Sequence, residues 1–154
     1  YVMSPTQTWL GAVGAGNETI VQSGGTLSVG GAQMGNLAPA AVKKIIRIAG
    51  TGVGGAGALI NTRSGGNNTL GKVVLTADAT LSAGGNNSIS RNAAGSIVTS
   101  AGGRTDIRQS AAPTAGQAHL DLAGFTLTKT GGELLAIVNS EVTSGKFYRQ
   151  WRDF

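Results

Sequence analysis

The sequence predicts an all-β protein, a parallel β-helix (β-solenoid) of about six to seven short coils. Three observations carry this: short apolar runs alternate with turn residues, their centres recur at near-even spacing, and one motif returns nineteen residues later. The chain has 154 residues, with 26 Gly, 3 Pro and no Cys. Gly stands well above its usual share of about 7%. Charged residues make up 12% and hydrophobic ones 40%. A disordered chain shows the opposite balance, because it lacks the apolar surface needed to offset ordering. Many tight turns account for the glycine better.

Taken in order, residues 1–16 carry Val2, Met3, Trp9 and Leu10 and are expected to form an N-terminal cap or docking segment. Residues 17–145 are expected to form the solenoid. Its β-type runs cover 19–22, 26–29, 45–48, 58–61, 73–76 and 79–81, and then 88–90, 96–99 and 105–108. The series ends with 119–122, 125–128, 134–138 and 141–143. Gly-Gly, Gly-Gly-Asn-Asn and Ala-Gly-Gly separate them, where positive φ costs Gly little and Asn tolerates it. The apolar centres Val74, Leu81, Ile89, Ile97 and Ile107 lie seven to ten residues apart, the spacing of many short strands.

The repeat is Gly65-Gly66-Asn67-Asn68-Thr69-Leu70, which returns as Gly84-Gly85-Asn86-Asn87-Ser88-Ile89. Thr26-Leu27-Ser28-Val29 and Thr126-Leu127-Thr128-Lys129 are also alike. A period near twenty residues suits one turn about a common core. A two-sheet sandwich stays open, because local pattern does not fix which strands pair. Residues 39–49 carry two signals. Ala41, Val42, Ile45, Ile46 and Ala49 have helical spacing, while Ile46, Arg47 and Ile48 alternate. A strand over 44–48 is the favoured expectation.

The stretch from Ile45 through Gly50-Thr51-Gly52-Val53-Gly54-Gly55-Ala56-Gly57 to Asn61 resembles the autotransporter-associated β-strand repeat proteins of bacteria. So do Val74-Leu75-Thr76-Ala77-Asp78-Ala79-Thr80-Leu81, Thr105-Asp106-Ile107-Arg108 and Leu127-Thr128-Lys129-Thr130-Gly131. The resemblance covers residues 19 to 142. It implies a right-handed winding and a surface or secreted location, and it brings no catalytic residues. Segments 1–16 and 147–154 fall outside it.

Several motifs imitate catalytic or nucleotide sites. Gly52-x-Gly54-x-x-Gly57, with Asp78 beyond it, has dinucleotide-site spacing but is followed by a strand pattern and not by a helix. Gly66-x-x-x-x-Gly71-Lys72 is followed by Val73 where a phosphate loop needs Ser or Thr. The acids Glu18, Asp78, Asp106, Asp121, Glu133, Glu141 and Asp153 are isolated in sequence. Asp106 and Asp121, near Arg104 or Arg108, are the pair that stacking could unite for polysaccharide cleavage. His119 is the single histidine and, in a chain without Cys, makes no ordinary zinc site. No catalytic, metal or cofactor residue is therefore assigned.

The net charge is +5, and most basic residues are read as solvated surface. Only Lys43, Lys44 and Arg47 and the tail are clustered; in the tail segment 146–154, Lys146-Phe147-Tyr148-Arg149-Gln150-Trp151-Arg152-Asp153-Phe154, aromatics and arginines interleave. Such a set either covers an open solenoid end or stacks on sugars and pairs with anions. Candidate interface or ligand residues are Trp9, Phe147, Tyr148, Arg149, Trp151, Arg152 and Phe154. No run reaches the roughly 18 apolar residues of a membrane helix, and the runs are too short for an outer-membrane barrel.

The expected function is a non-catalytic, extracellular or cell-surface structural or adhesive module that self-associates into an oligomer or fibre, or contacts surface glycans. Nucleic acid is not an expected partner. A carbohydrate-binding module or a polysaccharide-degrading β-helix fragment is the alternative.

Overall fold

The computed structural model describes residues 10–12, 14–29, 44–61, 68–70, 72–83, 89–91, 97–99, 105–108, 118–131, 135–138 and 141–149. It is all-β: apart from a 3-10 turn at Val53–Gly55, the described regular elements are strands. In chain order they are β1 (Thr19–Val21), β2 (Leu27–Ser28), β3 (Ile45–Gly50), β4 (Leu59–Asn61), β5 (Asn68–Leu70) and β6 (Lys72–Ala83). Then come β7 (Ile89–Arg91), β8 (Ile97–Thr99), β9 (Thr105–Arg108), β10 (Ala118–Asp121), β11 (Thr126–Thr130), β12 (Leu135–Val138), β13 (Glu141–Thr143) and β14 (Lys146–Arg149).

Twelve of the fourteen described strands form three parallel ladders, each ordered as in the chain. The first is β1-β3-β6-β10-β13. The second runs from β2 through β4, β6 and β11 to β14. The third is β5-β9-β12. The twelve residues of β6 turn a corner, so its first half belongs to the first ladder and its second half to the second. A bulge marks that corner, since Ile48 pairs with Leu75 but Gly50 with Ala79.

Register puts like residues over like. Ile46, Val73, Leu120 and Val142 form one column, and Val21, Ile48 and Leu75 another. On the second ladder Leu27, Leu59 and Leu81 align, and on the third Leu70 lies over Ile107. Buried side chains from all three ladders join one cluster, including Ile48, Leu59, Leu75, Leu81, Ile107, Leu120 and Leu127. The period of two along each strand directs alternate residues into this interior.

The ladder spacing differs from the expected twenty residues. On the first ladder Thr19 pairs with Ile46 and Ile46 with Val73, 27 residues each. Val73 then pairs with Leu120, 47 residues on, and Leu120 with Val142, 22 on. The long step contains β7 and β8, which pair antiparallel, the one antiparallel pair among the described residues. The first ladder thus has five described tiers rather than six or seven. The nineteen-residue repeat does not stack either: Leu70 lies over Ile107, whereas Ile89 pairs with Thr99. Of the expected strand 44–48, residues 45–48 lie in β3, Lys44 just precedes it, and no helix forms there.

Candidate functional site

Of the residues singled out from sequence, Phe147, Tyr148 and Arg149 lie on β14. Trp9, Trp151, Arg152 and Phe154 lie outside the described residues. β14 extends the second ladder, with Leu127 over Phe147, Thr128 over Tyr148 and Lys129 over Arg149. Its neighbour in the chain, β13, extends the first ladder over β10. Together they form the last described tier.

The corner between them, Ser144 and Gly145, sits tightly on the corner beneath. Gly124 N donates to Ser144 O at 2.7 Å, and Lys146 N donates to Phe125 O at 3.0 Å. A Cβ on Gly145 would stand 2.3 Å from Leu122 Cβ and 2.6 Å from Phe125 O, so only glycine fits. Asp121 ties both corners: its Oδ1 accepts from Ala123 N at 3.0 Å and from the Thr143 hydroxyl. One corner earlier, Asp78 Oδ1 accepts from Thr126 N at 2.8 Å.

Inward-column residues change exposure abruptly at this tier. Ile107, Leu120 and Leu127 are 0% exposed, while the residues stacked over them, Ile137, Val142 and Phe147, are 37%, 49% and 46% exposed. At the first described tier Val21 and Val29 are 7% and 1% exposed, and Leu10 packs against the core. Lys44 ties down the segment before β1: its Nζ donates to Asn17 O at 2.7 Å and to Ala12 O at 3.0 Å.

Lys44 and Lys129 are both buried, although charge composition alone suggested surface positions. A signal existed. Lys44 precedes Ile46 and Ile48 by two and four positions, and Lys129 follows Leu127 by two, so strand parity directs both inward. Lys129 Nζ donates to Gly131 O. Glu18 and Arg47, both partly buried, form an ion pair at 3.6 Å. Hydrogen bonding from its own backbone N–H, above all, holds the Glu18 carboxyl below its ordinary value of 4.5. Partial desolvation opposes this, and Gly16 N–H and Arg47 reinforce it.

The remaining sequence motifs resolve into structure. Gly52-x-Gly54-x-x-Gly57 is a corner between β3 and β4, and Lys72 opens strand β6. Asp106 and Asp121 belong to different ladders, so stacking does not pair them. The backbone of His119 lies in β10. Among the described residues no group of three or more His, Cys, Asp or Glu gathers to hold a metal. Nor is any helix among them long and apolar enough to cross a membrane. Comparison with protein families, curated proteins and solved structures finds no match to this chain.

Proposed function

We propose that this chain is a non-catalytic, extracellular structural or adhesive module, wound as a right-handed parallel β-helix. The observation that carries the proposal is that three parallel ladders, each in chain order, share one aliphatic interior. A chain that returns to each of three ladders in turn winds about that interior. Right-handed crossovers are the rule for parallel strands, in about 98% of cases. Self-association of such modules at their ends would give an oligomer or a surface layer. The non-catalytic part is supported by how Asp78 and Asp121 are used, since both carboxylates hold backbone at corners. The resemblance to bacterial surface repeat proteins supports the location.

The winding is testable because the chain has no Cys. Ser82 and Thr130 are register partners on adjacent tiers. The pair Ser82→Cys and Thr130→Cys is expected to close a disulfide on mild oxidation, since neighbouring strands lie about 4.8 Å apart. Ser82→Cys with Thr126→Cys, displaced by four residues or roughly 13 Å, is expected to remain reduced. Equal cross-linking of the two pairs would reject the register.

The functional assignment is tested by incubating the protein with acidic and neutral polysaccharides. No new reducing ends and no unsaturated products are expected. Turnover that disappears in Asp121→Asn, with folding retained, would make the chain an enzyme instead. A glycan array separates the adhesive role from the purely structural one.

A further inference from the structure

We draw no further inference here: the strongest candidate, the outer face of the second ladder, where Thr128 and Thr130 of β11 lie over Thr80 and Ser82 of β6, is a stripe of small hydroxyl residues, and nothing in the structure shows what covers it.

Discussion

Replacing Gly52 by alanine is expected to destabilise the fold by about 3 kcal/mol or more. Gly52 has φ 76° and ψ −179°, a region essentially closed to residues with a Cβ. Backbone strain alone contributes roughly 1–3 kcal/mol. Sterics add to it. A Cβ there would lie 2.0 Å from Gly57 O and 2.6 Å from the Thr26 hydroxyl oxygen. Neither group can retreat freely. Thr26 Oγ1 donates to Gly57 O at 2.9 Å and accepts from Val53 N at 2.8 Å, so it clamps the corner on the tier before it. Gly57 is itself confined, with Ser82 N only 3.0 Å from the position of a Cβ. The corner therefore bonds or abuts tiers on both sides, and shifting it disturbs two ladder contacts.

Gly54→Ala is the control within the same loop. Gly54 has φ 58° and ψ 19°, and a Cβ there would meet nothing within 4 Å. It should cost only the left-handed penalty of roughly 1–2 kcal/mol. Urea unfolding of the two variants checks the contrast. A Gly52→Ala midpoint within error of the parent, or no worse than Gly54→Ala, would mean that this corner is not clamped.

The glycine at this corner also indicates what local sequence can and cannot reveal. Nearly every strand appears where period-two alternation meets a glycine-rich turn, because both signals are local. β14, expected as part of a cap or interface segment, does not, and neither does β5, since Asn68-Thr69-Leu70 looks like the tail of a Gly-Asn turn and carries a single apolar residue. Leu70 becomes a core residue through its tier partner Ile107, which is 37 residues away. The residues at 73–76 and 79–81 look like two strands. The bulge between them leaves the chain extended, so they form one strand, β6.

Register is less legible still. It depends on how much chain each turn consumes, and the β7–β8 hairpin changes that amount without altering the pattern of the flanking strands. The similar segments at 26–29 and 126–129 do share the second ladder. They are offset by two positions, however, so that Leu27 aligns with Lys129 through Leu59 and Leu81. At the C-terminal tier the aromatic and basic clustering is visible in sequence. That Phe147 continues the Leu127 column is not, because only the pairing of β11 with β14 assigns it an inward position.

Position within a column, more than residue type, should set the energetic weight of the core side chains. Leu120→Ala is expected to cost about 2–5 kcal/mol. Leu120 lies between Val73 below and Val142 above, and is fully buried. Removing its branched end leaves a void that neither strand can fill, because each is held in register by its own ladder bonds. Val142→Ala, one tier away in the same column, should cost no more than about 0.5 kcal/mol while the chain is monomeric, since its side chain is half in water. The two substitutions thus separate stacking from mere hydrophobicity. Dilute-solution unfolding measures both, and equal losses would mean that the column does not end at Val142.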